Sequence, residues 1–180
     1  MKKIIILLGV LILSACTFSL RSFISSLTQT ITPTPPVTIT PTYEGCYYVW
    51  ANQSLPEITK KLDAAIRELQ PTASANADAF GENCIYADGH STFGAIETDF
   101  YVNLSIESRS DEEGMGNWIA QVMPVIDQLT GVPGNPGFVE FSFQDNEPSP
   151  LMVRVPVYQY KSEAQGITGA ELFHLFYTTP

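Results

Sequence analysis

Glu97 and Asp99 form the carboxylate pair of this chain best placed for chemistry. They fall in residues 96–108, where Ile96, Thr98, Phe100, Val102, Leu104 and Ile106 alternate with Glu97, Asp99, Tyr101, Asn103, Ser105 and Glu107. A period of two predicts a half-buried strand of an antiparallel sheet. On it both carboxylates project from the polar face, about 7 Å apart at ~3.3 Å per residue. That spacing suits a cation or an inverting acid–base pair. The plainer reading is a solvated sheet face, because charged alternation is what such strands show to water.

Other chemistry is thin. His90 sits in the turn Asp88-Gly89-His90-Ser91-Thr92, where neighbours seldom align as nucleophile and base. His174 lies among Leu172, Phe173, Leu175 and Phe176 and reads as a partly buried packing residue. There is no Gly-x-Ser-x-Gly elbow, HExxH, P-loop, dinucleotide glycine motif or EF-hand spacing. No catalytic residue, cofactor or metal is therefore expected. Aromatic residues offer more. Tyr43, Tyr47, Tyr48 and Trp50 cluster at the start of the domain, Tyr101 joins Glu97 and Asp99 on the polar face, and Tyr158 and Tyr160 are expected to share a strand face. Tyr48, Trp50, Glu97, Asp99 and Tyr101 make a candidate binding surface for sugar rings or a protein partner, with core packing as the alternative for the aromatics.

The N-terminus carries its own chemistry. Met1-Lys2-Lys3 precedes ten residues, 4–13, that are apolar except for Gly9. This run is too short for a bilayer core of ~30 Å but suits the h-region of a secretory signal. Leu13-Ser14-Ala15-Cys16 follows. The segment resembles a bacterial lipoprotein precursor with its lipobox. Small Ser14 and Ala15 admit the backbone to a peptidase cleft, and Cys16 supplies the sulfur for a diacylglyceryl thioether. The resemblance covers residues 1–16. It implies a signal peptide at 1–15, cleavage before Cys16, and a lipid that anchors the chain outside the cytosol, on the cell membrane or an outer membrane. Thr17 stands where some lipoproteins hold an Asp that retains them in an inner membrane. An ordinary secretory signal, or an uncleaved anchor, that happens to hold a cysteine is the other reading. With Cys16 lipidated, Cys46 and Cys84 remain, and an even pair in an exported domain is expected to form a disulfide. Two cysteines alone fall short of the four ligands of structural zinc.

Residues 16–42 read as a tether: from 17 to 42, twelve of 26 residues are Ser or Thr and four are Pro. Residues 18–31 are expected to be disordered, with a short membrane-facing helix as the alternative. Residues 1–42 contain three cations and no acid, so residues 43–180 hold six basic and nineteen acidic residues, a net −13. That balance excludes a general nucleic-acid binder. Charged residues make up only 16% of the chain, against a usual ~25%, so Ser, Thr, Asn and Gln must share the work of solubility.

Residues 43–180 read as a single α+β domain of order β-α-β-β-α-β-β-α. Strands are expected at 43–51, 80–87, 96–108, 138–145 and 151–161, with a small-residue connection at 72–79. Ser54-Leu55-Pro56-Glu57 and Ser110-Asp111-Glu112-Glu113 read as capping boxes. The first opens a helix with Leu55, Ile58, Leu62, Ile66 and Leu69 on one face, closed by Pro71. The second opens a helix from Met115 to Leu129 that Pro124 should kink. Pro156 argues for an edge strand or a bulge. Residues 170–177 read as a short helix, with a strand as the alternative. Two amphipathic helices over one sheet face make a two-layer sandwich of four to five mainly antiparallel strands. The alternative, a strict ferredoxin-like sheet, separates strands one and two by ~10 Å, which conflicts with a Cys46–Cys84 bond. Either the first and second strands are neighbours, which is favoured, or the cysteines meet beyond the strand ends. The functional expectation is a lipid-anchored binding or assembly module facing an envelope protein or glycan partner. Two others stand beside it: an envelope hydrolase or sugar-active enzyme using Glu97 and Asp99, and a structural subunit of an envelope complex.

Overall fold

The structure is a computed structural model that describes residues 45–177. The expected signal peptide at 1–15, Cys16 and the expected tether to residue 42 lie outside the described residues. Five strands form one sheet: β1 (Cys46–Ser54), β2 (Ser74–Tyr86), β3 (Ser91–Ser105), β4 (Asn135–Gln144) and β5 (Leu151–Pro156). Helix α1 (Pro56–Leu69) joins β1 to β2 and α2 (Glu112–Gln128) joins β3 to β4. A short α3 (Val157–Gln159) runs into a π turn at Tyr160–Ala164, and α4 (Gly169–Phe176) closes the domain. The strands lie in sequence order, β1-β2-β3-β4-β5. Three neighbouring pairs are antiparallel, and β3–β4, joined by the α2 crossover, is parallel. The fold is an α+β sandwich. A ferredoxin-like order, which interleaves its strands, is excluded.

The helix layer covers one sheet face. Ile58, Leu62 and Ile66 of α1 pack over Ala75 and Ala77 of β2, whose small side chains let the helix approach closely. Met115, Ile119, Val122 and Ile126 of α2 pack with Phe100, Val102, Phe141, Phe143, Val153 and Val155. Leu172, Phe173 and Phe176 of α4 complete the core. Gly116 is where α4 meets α2: a Cβ there would collide with the Gly169 carbonyl.

Several local expectations are corrected. Residues 74–79 belong to β2, because Ala75, Ala77 and Ala79 supply the buried alternation that larger residues supply elsewhere. Ser54 ends β1 opposite Asp78 and caps nothing; α1 starts with Pro56, which has no N–H to cap. At α2 the cap is Asp111, accepting the Gly114 N–H at 2.9 Å, and Glu113 instead accepts the Ala170 N–H of α4 at 3.0 Å. α2 is the expected second helix, Glu112–Gln128, with Pro124 inside it. β5 ends at Pro156 on a sheet edge, and 157–164 is helical, so Tyr158 is exposed while Tyr160 is buried; they share no strand face. Residues 169–176 form the short helix expected at 170–177. β3 begins at Ser91 and ends at Ser105, leaving Ile106 and Glu107 beyond it, and a bulge at Ile96 exposes that side chain.

Candidate binding face

The helices leave the other sheet face uncovered, and strand alternation decides what it displays. From the register, β1 contributes Cys46, Tyr48, Trp50 and Asn52, and β2 contributes Asn76, Asp78, Phe80, Glu82, Cys84 and Tyr86. β3 adds Glu97, Asp99, Tyr101 and Asn103, β4 adds Phe138, Glu140 and Ser142, and β5 adds Met152 and Arg154. The five residues singled out from sequence, Tyr48, Trp50, Glu97, Asp99 and Tyr101, thus share one face. The alternation of β2 and β4 also carries Asp78, Phe80, Glu82, Phe138 and Glu140, which period-two reading of those strands could have found. Arg154, the sole cation of this face among the described residues, could not be assigned without the β4–β5 register.

At the centre, Asp78 stands directly opposite Asp99. Asp99 is only 8% exposed, and its Oδ1 accepts the Phe138 N–H at 3.3 Å. Burial pushes its pKa up, and Glu97 and Asp78 push the same way, against the Phe138 N–H and Arg154. The β3–β4 register shifts between Thr98 and Phe100, bringing Gly137 beneath both carboxylates. A Cβ there would collide with Asp99 Oδ1 and stand 3.2 Å from Glu97 Oε2. The bare glycine is what lets the two acids share this space. Bulges that re-aim side chains in this way recur at functional sites. Burial, then Asp99 and Asp78, raise the Tyr101 pKa, and its ring meets Phe138 edge-on at 5.9 Å.

The face already holds one guanidinium. Arg154 lies 4.1 Å over the Phe138 ring and donates to Glu140 Oε2 from Nη2 at 2.6 Å and Nε at 3.2 Å. Toward β1 the same residue types recur: Trp50 stacks on Phe80 at 5.3 Å and stands opposite Glu82. A shallow pocket of about 300 Å³ lies beside them, between Tyr48, Glu82, Tyr86 and Thr92, where Gly94 puts no side chain. A cavity of about 560 Å³ opens on the helix side, bounded by Gln53, Pro56, Lys61 and Phe93. Neither Glu97 nor Asp99 lines either one.

Cys46 and Cys84 are at disulfide distance, with Cα atoms 5.3 Å apart. They sit diagonally across β1 and β2, where Cys46 opposes Tyr86 and Cys84 opposes Tyr48. His90 occupies an exposed turn, stacked on Tyr86 at 4.0 Å with Nδ1 2.5 Å from Asp88 Oδ1. His174 is exposed rather than packed: on the eight-residue α4 it falls on the outer side, with Nε2 3.0 Å from Glu112 Oε2. Among the described residues no three His, Cys, Asp or Glu side chains gather as a metal site would need. No family model, curated protein or solved structure matches this chain.

Proposed function

We propose that this chain is an exported binding module, held to a membrane surface by lipid on Cys16, whose uncovered sheet face takes cationic side chains of a protein partner. The observation that carries the reading is the composition of that face. Carboxylates of Asp78, Glu82, Glu97, Asp99 and Glu140 alternate with the rings of Tyr48, Trp50, Phe80, Tyr101 and Phe138, and Arg154 is held there by ring and carboxylate together. A guanidinium over an aromatic face gains ~0.5–1 kcal/mol where exposed, and more where desolvated. The net −13 of residues 43–180 adds attraction for a basic partner and steers its approach.

The test uses the full-length chain in detergent and two labelled peptides, one rich in Arg and one in which Glu replaces Arg. The Arg peptide is expected to bind, to weaken with salt, and to lose about tenfold in affinity with Trp50→Ala or Glu82→Gln. Equal binding of both peptides, or preferential capture of a neutral oligosaccharide, overturns the protein-partner reading. The anchor is tested separately by the intact mass of the membrane-extracted protein. An unmodified thiol at Cys16 with residues 1–15 attached refutes it.

A second reading, an acid–base hydrolase, draws on the raised pKa of Asp99 beside Glu97. Hydrolysis of a glycoside or peptide panel that Asp99→Asn abolishes supports it.

A further inference from the structure

β1 is the least protected strand of the sheet. It forms an edge and, among the described residues, pairs only with β2. α1 packs over β2, and residues 47–50 of β1 are exposed on both faces. Tyr47 and Val49 on the helix side are 59% and 45% exposed, and Tyr48 and Trp50 on the other side are 67% and 62% exposed. The strand, CYYVWANQS, has no charged residue and no proline. The opposite edge is guarded by the usual devices. β5 has six residues, follows Pro150, carries Arg154 and ends on Pro156. Edge strands are ordinarily blunted by charge, proline or shortness, because their free N–H and C=O groups template pairing with another chain. β1 lacks all three, in a domain of net −13.

We propose that β1 pairs antiparallel with β1 of a second copy of this chain. The strand's neutrality favours its own copy as the occupant. In a two-fold antiparallel pair the axis residue meets itself and the others meet residues placed symmetrically about it, so an uncharged strand brings no like charges together across the seam. With Val49 on the axis, Tyr48 meets Trp50 of the second copy and Tyr47 meets Ala51. A two-fold axis perpendicular to the sheet keeps both helix layers on one side and joins the two uncovered faces into one. The Cys46–Cys84 link holds β1 against β2 beforehand, so little order is lost on pairing. Four half-exposed side chains at ~100 Å² each give on the order of 800 Å² over both copies, below the ~1,200 Å² of stable complexes, so the pairing is reversible. This inference stands apart from the partner proposal: it uses the strand edge, not the acidic centre of the face.

Sedimentation of the full-length chain in density-matched detergent is expected to show a concentration-dependent doubling of protein mass. V49K and V49E should each abolish the doubling while leaving circular dichroism unchanged, since Val49 lies outside the core. An equimolar mixture of the two should restore it, because opposite charges then meet at the axis. A single-copy mass for the unaltered chain at ~0.1 mM, or a mixture that stays single, overturns the proposal. In either case the β1 edge belongs to a different protein or to none.

Discussion

Replacing Cys46 and Cys84 together by Ala removes the one covalent crosslink described in the domain, and its cost can be worked from the fold. The two cysteines are 38 residues apart, with all of α1 between them. Closing a loop of that length removes ~13 cal/mol/K of unfolded-chain entropy, or about 4 kcal/mol at 25 °C. For a domain of this size each kcal/mol moves Tm by ~3–4 °C, so a fall of roughly 12–16 °C is expected. The position of the link adds a second readout. The β1–β2 end that holds it has no helix over it, and Tyr47, Tyr48 and Trp50 are exposed there. Few apolar contacts remain to hold β1 when the link is gone. Amide exchange over residues 46–50 should therefore quicken far more than at Phe100, Val102 and Leu104, which are buried in the core. Urea unfolding of both proteins, with the slope compared, is the assay. A loss below ~1 kcal/mol with uniform exchange would show that β1 is held by something other than this link.

Gly137→Ala is expected to cost ~1–3 kcal/mol in urea unfolding, because the new Cβ displaces Asp99 Oδ1 from the Phe138 N–H; Gly134→Ala is no control, since Gly134 has φ +68°. Asp99→Asn should stabilise the protein at pH 7, as the amide oxygen can keep the Phe138 bond without a buried charge. The Asp99 pKa is raised on folding, so the stability linked to its proton is full below the unfolded value of ~3.9 and is lost as pH rises through the folded value. The gap in Tm between variant and parent should therefore close on acidification, and a gap constant from pH 3 to 7 would contradict the assignment. Thr98→Val should cost ~1–3 kcal/mol in thermal or urea unfolding, since buried Thr98 Oγ1 donates to the Pro133 carbonyl at 2.6 Å and the variant strands that oxygen.

Periodicity carried much of the fold. Leu62 and Ile66 of α1, Ile119 and Val122 of α2, and Phe100, Val102 and Leu104 of β3 are buried on the faces that their spacing marks. The misreadings have physical causes. Ala75, Ala77 and Ala79 were too small to register as an apolar alternation, yet smallness is what a close helix requires. Val157 and Tyr160 kept a strand-like composition past Pro156, where the chain instead turns into the core. Ser54 has the residue type of a cap but is spent in the β1–β2 ladder.

The candidate face divides in the same way. Local alternation determined that Glu97, Asp99 and Tyr101 lie on one side of a strand, because side chains of a pleated strand must point to opposite faces in turn. The conflict between an expected Cys46–Cys84 bond and an interleaved sheet favoured β1 and β2 as neighbours, and the strand order shows them so. Only the tertiary structure decided that Tyr48, Trp50 and those three share a face that no helix among the described residues covers, since that depends on register between strands far apart in the chain. It alone set Gly137 under the two carboxylates and Arg154 over Phe138, because a bulge and a strand pairing, neither visible in local residue order, aim those groups.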